Sequence, residues 1–380
     1  MKRGRAIATI AAFAALAVAA YVGRVGRDMV DFNVGYVAGQ RLLAGEDLYP
    51  GTDGHYSYKY PPGAALLQMP FSLLPKPAAK PVFYVVTVLC LVAALALAYR
   101  LLPPEPTRRP AIVAWTFLVL AKYLLREIDL GQINLIILCL LLLAVHGMLP
   151  RDAAARATGA GGAWAAATTL KPYALVFLPY FVLTGRWRTL AAAIGALALL
   201  AAAPALFYGP GGVVAAHAAW ARTLSESTPS LMTHVDNASL GALFARLVGW
   251  GATAMTLTFA AAAGLALLVL LVVASGRALP RAVVLDGLLL IALIPLLAPL
   301  GWNYMMLMSL GGVMLLIQHL DRFGRFWRWL LLADLFTIAI TISNVVGHEL
   351  HAGFERASGA TIQFGVLVGY LAALRFKRVC

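Results

Sequence analysis

A polar stretch with acidic and aromatic side chains interrupts an otherwise apolar chain between residues 31 and 70. It reads DFNVGYVAGQRLLAGEDLYPGTDGHYSYKYPPGAALLQMP, with Asp31 at its start and Tyr60 near its middle. A carboxylate that takes a proton from a hydroxyl group acts as a general base. Because polar residues do nothing to hold a chain in lipid, this stretch is the first candidate for catalysis.

Asp31 precedes residues at helical spacing that continue until Gly45, so the pattern predicts an amphipathic helix that begins near Asp31. Two alternatives stay open for this carboxylate. It can be a simple N-cap, and Asp28, one turn earlier, is a rival base. The tyrosines that follow can equally be an interfacial aromatic belt.

The segment LLREIDLGQINLIIL places Arg126, Glu127, Gln132 and Asn134 between two apolar runs. Polar residues at membrane depth usually face a cavity or one another. The alternative is a helix hairpin that is capped by its own side chains.

Lys171 stands between two short apolar runs in TTLKPYALVFLPY, with no acidic neighbour in sequence. A buried ammonium needs an anionic partner, and a phosphate group would supply one. The alternative is a lysine whose charge snorkels to the lipid headgroups.

Two later segments carry further polar and aromatic residues. The first holds His234, Asp236, Asn237, Ser239 and Arg246, and the second holds Trp302, Asn303 and Tyr304. Singly, they are typical of loop and belt positions. His348, Glu349 and His351 suggest a metal site, but no third ligand lies at a useful spacing, so we expect no metal.

Composition identifies a polytopic membrane protein. The 380 residues are 62% hydrophobic and 12% charged, with mean hydropathy +0.83. Backbone groups in lipid must be satisfied internally, which favours helices. We therefore predict an all-α fold with twelve spans, near 6–23, 81–99, 111–125, 133–149, 159–170, 173–184, 190–208, 252–273, 282–300, 304–320, 327–346 and 360–376.

The net charge of +14 fits membrane orientation better than nucleic-acid binding, because the basic residues cluster beside apolar runs. On this pattern both termini are cytoplasmic, and the single membrane domain (1–380) has two long loops facing outward. We name them the first long loop (24–80) and the second long loop (209–251). The start MKRGR before an apolar run favours a retained first helix, with cleavage as a signal peptide as the alternative.

The order of these segments resembles the family-87 glycosyltransferases of the GT-C class, which use polyprenyl-phosphate sugars. The family includes mycobacterial mannosyltransferases of phosphatidylinositol mannoside synthesis. The resemblance is carried by Asp31, Val34, Tyr36, Ala38, Leu42, Gly45, Leu48, Tyr49, Tyr60-Pro61-Pro62, Pro70, Gly131-Gln132, Asn134, Lys171-Pro172, Asn237, Ser239-Leu240, Arg246, Pro299 and Trp302.

The resemblance implies inverting transfer of a hexose, in the best-known members mannose, to a lipid or glycan acceptor outside a bacterial inner membrane. It implies Asp31 as catalytic base. The departing phosphate needs positive groups, and we assign them as Lys171, Arg126 and Arg246. The substrate cavity is expected to include Tyr36, Tyr60, Gln132, Asn134, Asn237, Trp302, Asn303 and Tyr304.

Phosphate leaves with its own charge, so neither a metal nor another cofactor is expected, and no nucleotide-binding motif occurs. One departure concerns Asn303 and Tyr304, because members similar to the mycobacterial enzymes have histidine after the tryptophan. The alternative functions are a lipid or sugar transporter, for which no second broken helix pair is seen, and a non-catalytic scaffold.

Overall fold

The computed structural model describes residues 15–27, 29–104, 110–149, 154–275 and 281–377. Within these ranges all regular structure is helical, apart from one isolated antiparallel bridge between Asn237 and Trp302. The predicted all-helical fold is confirmed for this part of the chain. Asp28 and both chain ends lie outside the described residues.

The α-helices are, in chain order, α1 (residues 15–23), α2 (Val30–Ala44), α3 (Pro62–Ser72), α4 (Lys76–Leu101), α5 (Ala111–Leu130), α6 (Asn134–Gly147), α7 (Ala154–Leu170), α8 (Leu178–Leu183), α9 (Trp187–Ala202), α10 (Ala205–Ser227), α11 (Leu240–Val248), α12 (Ala252–Ser275), α13 (Ala282–Leu297), α14 (Leu310–Gln318), α15 (Arg325–Ile340), α16 (Ser343–Val346), α17 (His348–Arg356) and α18 (Gly359–Phe376). Short 3-10 helices span Val25–Arg27, Gly51–Tyr56, Pro172–Phe177, Pro229–Leu231, Asn303–Ser309 and Leu320–Arg322.

Three of the described helices, α4, α12 and α18, are long and apolar enough to cross a membrane, as expected of a membrane protein. Two bent pairs raise the number to five if each pair is one span: α5 with α6, bent by 118°, and α9 with Ala205–Leu231, bent by 93°. Every predicted span contains a helical segment within the described residues, but several are short. The number twelve therefore stays a prediction.

The core centres on α13, which is apolar around its whole circumference and buried along almost its entire length. It packs against α18 and α6. Its one acidic residue, Asp286, pairs with Arg375 of α18 at 2.7 Å, and both side chains are at most 2% exposed. The ion pair connects α13 to α18 inside the bundle, and each side chain compensates the buried charge of the other.

Close backbone contacts fix α2, the helix that carries Asp31. A Cβ atom at Gly35 or Gly39 would come within 2.2 Å of a side-chain oxygen of α3, so only glycine allows this approach. Gly131, at φ +69°, turns the chain between α5 and α6, and a Cβ there would lie 2.8 Å from Phe32 Cβ. The turn at Gly131 and the start of α2 therefore lie against each other.

Candidate active site

The start of α2, the α5–α6 turn and the breaks at Lys171 and after α13 surround one cavity of about 600 Å³. Both long loops contribute to its walls. The sequence-predicted site residues that line it are Asp31, Tyr60, Arg126, Gln132, Lys171, Trp302 and Tyr304. Segments far apart in sequence thus meet at one polar hollow.

Asp31 is the second residue of α2 and lines this cavity with a partly exposed side chain. The N-cap position belongs to Met29, which has left-handed backbone angles, so Asp31 does not serve as the N-cap. Its carboxylate is close enough to act electrostatically on Lys171 and Tyr60. An acid beside a cationic group in a cavity can receive a proton while the cation holds an anion.

Tyr60 forms part of the cavity wall and faces Lys171, whose Nζ lies 5.6 Å from the ring centroid. Burial raises the pKa of Tyr60 well above its usual value, and the negative charge of Asp31 adds to this effect. The phenol therefore stays neutral. Its backbone carbonyl accepts a 2.7 Å hydrogen bond from the Tyr49 hydroxyl, which fixes the loop.

Lys171 is the extended residue between α7 and the 3-10 helix Pro172–Phe177, and it is only 6% exposed. Its Nζ donates to Asn134 Oδ1 at 2.8 Å and to Gln132 Oε1 at 3.4 Å. Burial at this depth does not fit a lysine that snorkels to headgroups. An ammonium has three protons, and two hydrogen bonds leave one donor for a ligand in the cavity.

Glu127 stands behind this arrangement and is fully buried. Its carboxylate accepts hydrogen bonds from the backbone N–H groups of Asn134 (2.5 Å) and Leu135 (3.2 Å), and from Asn134 Nδ2 (2.8 Å). It thereby satisfies the free amides at the start of α6. The hairpin-capping alternative describes Glu127 well. Asn134 lies behind the cavity wall and connects the two charged groups, because its Nδ2 donates to Glu127 and its Oδ1 accepts from Lys171.

Gln132 connects the two sides of the site. Its Nε2 donates to the Tyr304 hydroxyl at 2.9 Å, while its Oε1 accepts from Lys171. Arg126 also lines the cavity, with a side chain that is 54% exposed and paired with Asp129 at 3.2 Å. Asp129 is shared with Arg24 at 3.0 Å. Arg126 is therefore a partly neutralised charge at the rim.

Arg246 does not line this cavity. Its guanidinium donates to the backbone carbonyls of His234 and Asn237, each at 3.0 Å, and to Ser358 Oγ at 2.9 Å. The first two contacts lie within the second long loop, and the third connects this loop to the residue before α18. Arg246 therefore stabilises the position of this loop and is not placed to bind a phosphate in the cavity.

Four other predicted cavity residues also lie outside the lining. Asn134 is described above, and Tyr36 donates from its hydroxyl to Leu74 O at 2.8 Å. Asn237 Nδ2 donates to Pro299 O at 3.0 Å, and Asn303 Nδ2 donates to Asp236 Oδ1 at 3.2 Å. These hydrogen bonds connect the segments that surround the cavity.

His234 and Asp236 line the cavity, although the sequence alone gave them no role. The His234 ring stands edge-on to Trp302, with centroids 5.2 Å apart, and its Nδ1 accepts from the Asp236 backbone N–H at 3.2 Å. That bond favours the tautomer with a proton on Nε2. The signal available in the sequence was their position two residues apart, directly before Asn237.

His348, Glu349 and His351 all belong to α17. In the described ranges, no three His, Cys, Asp or Glu side chains are placed to hold a metal ion.

A model of Glycosyltransferase family 87 matches residues 58–299, more than half of the chain. The chain belongs to glycosyltransferase family 87. No curated protein and no solved structure matches it. Membership implies glycosyltransferase activity, with a sugar donor and an acceptor.

The matched range of this family-87 glycosyltransferase includes Tyr60, Lys171 and most of the cavity wall. It does not reach Asp31, Trp302 or Tyr304, which line the same cavity. In the folded protein these residues lie beside residues of the matched range. The link is most direct at Gln132, which contacts both Lys171 and Tyr304.

Proposed function

We propose that this enzyme transfers a hexose from a polyprenyl-phosphate donor to an acceptor hydroxyl, with inversion at the anomeric carbon. The observation that carries the proposal is that Asp31 and Lys171 line the same cavity and interact electrostatically. One group can receive a proton and the other can hold a phosphate. Membership of the family gives the reaction class. We assign the proton-accepting role to Asp31 and the phosphate-binding role to Lys171.

In the reaction, the acceptor oxygen forms a bond to the anomeric carbon from the face opposite the phosphate. Asp31 takes the hydroxyl proton as this bond forms, a contribution of about 10²–10⁴-fold in rate. The bond between the anomeric carbon and the phosphate oxygen breaks, and its electron pair stays with the phosphate. The remaining proton donor of Lys171 stabilises that charge, with Arg126 at the rim.

A second, apolar cavity of about 460 Å³ supports a lipid-linked donor. It lies between the 3-10 helix Pro172–Phe177, α12 and α13, and its lining is almost entirely aliphatic or aromatic. Pro172, Tyr173 and Pro299 line both cavities, so the two adjoin beside Lys171. A donor with phosphate at Lys171 can extend its isoprenoid chain into this groove.

The sugar we propose is mannose, the best-known choice of the family, and the site faces outward from a bacterial inner membrane. Basic residues beside apolar runs support that orientation. At the position of the family histidine, Asn303 contacts Asp236, while Tyr304 contacts Gln132. Because both replacements support cavity walls, we propose an acceptor different from that of the mycobacterial enzymes.

The test measures sugar transfer in membranes from a panel of polyprenyl-phosphate hexoses, with mass spectrometry of the products. Asp31→Asn is expected to lower transfer by about 10²–10⁴-fold, because an amide does not take the proton. Asp47→Asn is the matched control, since Asp47 is an exposed carboxylate of the same loop outside the cavity lining. Full activity of Asp31→Asn, or loss only in Asp28→Asn, contradicts the assignment.

A further inference from the structure

A third cavity, of about 320 Å³, opens beside the active site along α2. Val30, Val34 and Tyr56 line both it and the catalytic cavity, so the two are contiguous. It lies along the first long loop, whereas the apolar groove adjoins the catalytic cavity at Pro172, Tyr173 and Pro299. A molecule that presents one group to Asp31 can therefore extend into this third cavity without meeting the donor lipid.

One face of α2 forms the long wall of this cavity. Asn33, Val37 and Arg41 follow one another at intervals of four residues and all line it. Residues at this spacing share a face of a helix. From Asp31 to Arg41 the helix rises about 15 Å. The wall thus runs from Val30, one residue before the proposed base, to the charged side chain of Arg41.

The charged end is an ion pair without net charge. Arg41 Nη1 and Nη2 donate to the two carboxylate oxygens of Asp53 at 2.5 and 2.7 Å, and both side chains are about one-fifth exposed. The hydrogen bond to Asp53 raises the pKa of Arg41, so the guanidinium stays charged. Because the charges cancel, the pair offers hydrogen-bond donors and acceptors, and it does not select an anion.

Two further polar groups of the lining lack partners. Asn33 Oδ1 and the Tyr58 hydroxyl are buried, and neither has a hydrogen bond within the described part of the chain. Leaving such a group unsatisfied typically costs about 1–3 kcal/mol. The remaining lining is tyrosine ring and valine. Apolar walls with a few polar groups are typical of small-molecule sites, and uncharged hydrogen-bonding groups suit the hydroxyls of a sugar.

We propose that this cavity binds a second sugar residue of the acceptor, the one next to the residue whose hydroxyl faces Asp31. The acceptor is then a glycan of at least two sugars. Ring hydroxyls contact the Arg41–Asp53 pair directly. Asn33 Oδ1 and the Tyr58 hydroxyl, which are buried in the unliganded site, reach the sugar after a small shift of their side chains, and the apolar ring face packs on tyrosine and valine. This inference rests on the proposed function, since it needs an acceptor at Asp31.

The test compares equilibrium binding of octyl monosaccharides and octyl disaccharides of mannose, glucose and galactose to the full chain in nanodiscs. At least one disaccharide is expected to bind about tenfold more tightly than its monosaccharide, the gain from roughly one to two net hydrogen bonds. Val37→Trp, which fills the cavity, is expected to remove that difference. Leu43→Trp is the matched control, because Leu43 is exposed on the same helix outside the lining.

A second variant distinguishes binding from structure. Tyr58→Phe removes a hydroxyl that has no hydrogen-bond partner among the described residues, so a purely structural role predicts no loss of disaccharide binding. The inference predicts a loss of about threefold to tenfold with an unchanged melting temperature. It is overturned if no disaccharide exceeds its monosaccharide, or if Val37→Trp and Tyr58→Phe both bind like the wild type.

These measurements do not depend on the donor. Asp31→Asn affects the monosaccharide and the disaccharide alike, so it is expected to keep the preference for the disaccharide while transfer falls by about 10²–10⁴-fold. Tight disaccharide binding without transfer from any polyprenyl-phosphate hexose would contradict the proposed function and support the third cavity as a sugar site. Transfer from such a donor without a preference for a disaccharide would support the proposed function and contradict the third cavity as a sugar site.

Discussion

Replacing Lys171 by methionine should weaken binding of the donor phosphate while leaving the second, apolar cavity intact. Methionine keeps most of the length of the side chain and removes the ammonium. In the wild type, Nζ is held by Asn134 Oδ1 at 2.8 Å and Gln132 Oε1 at 3.4 Å. The residue is 6% exposed, so the lost interaction is poorly screened by solvent.

The magnitude follows from the one ammonium proton that those two amides do not use. A hydrogen bond to a charged group contributes about 1.5–3 kcal/mol, which corresponds to about 10–150-fold in the dissociation constant of a phosphate ligand. The change also leaves Asn134 Oδ1 without its donor. We therefore expect a second effect, a loss of about 1–3 kcal/mol in the free energy of unfolding.

The assay is binding of farnesyl phosphate, with farnesol as the uncharged comparison, to protein in nanodiscs. Farnesol affinity should not change in Lys171→Met, because farnesol has no phosphate. Lys122→Met is the matched control: Lys122 Nζ donates to Thr341 O at 2.7 Å and does not line the cavity. It should lose stability but keep its affinity for farnesyl phosphate.

Three results would refute this reasoning. The first is an affinity for farnesyl phosphate that falls by less than about threefold, well below one charged hydrogen bond. The second is an equal loss for farnesol, which would indicate a distorted groove. The third is an equal loss in Lys122→Met, which would make the effect one of general stability.

Gly131→Ala should destabilise the protein by about 1–2 kcal/mol from its left-handed backbone alone, and more from the contact with Phe32. Thermal unfolding measures this, and Gly162→Ala, a helical position open to solvent or lipid, should not be destabilising. Arg246→Met should release the second long loop and lower kcat/KM by about tenfold, and unchanged kinetics would exclude a bracing role. Burial, reinforced by the charge of Asp236, raises the pKa of Glu355 to about 7. Its contribution to stability is present below its ordinary value of 4.5 and is lost as pH rises through about 7. Glu355→Gln should therefore reduce the fall in melting temperature over that pH interval. An unchanged dependence of the melting temperature on pH would contradict the raised pKa of Glu355.

The sequence alone determined the helical membrane fold, the apolar runs and the polar breaks at Gly131, Lys171 and Trp302. These features are local, because hydropathy and chain-breaking residues act over a few positions. The order of the breaks also carried the resemblance to family 87, which the match over residues 58–299 confirmed.

Only the tertiary structure decided which polar side chains face the cavity and which hold its walls. Arg246 and Asn134 have the residue types of ligands, yet they hold the second long loop and the α5–α6 turn. His234, which the sequence left as a loop residue, lines the cavity. The physical reason is that a buried polar group must find a partner wherever the fold brings one. At this site Gln132 finds Tyr304, which lies 172 residues away in the chain.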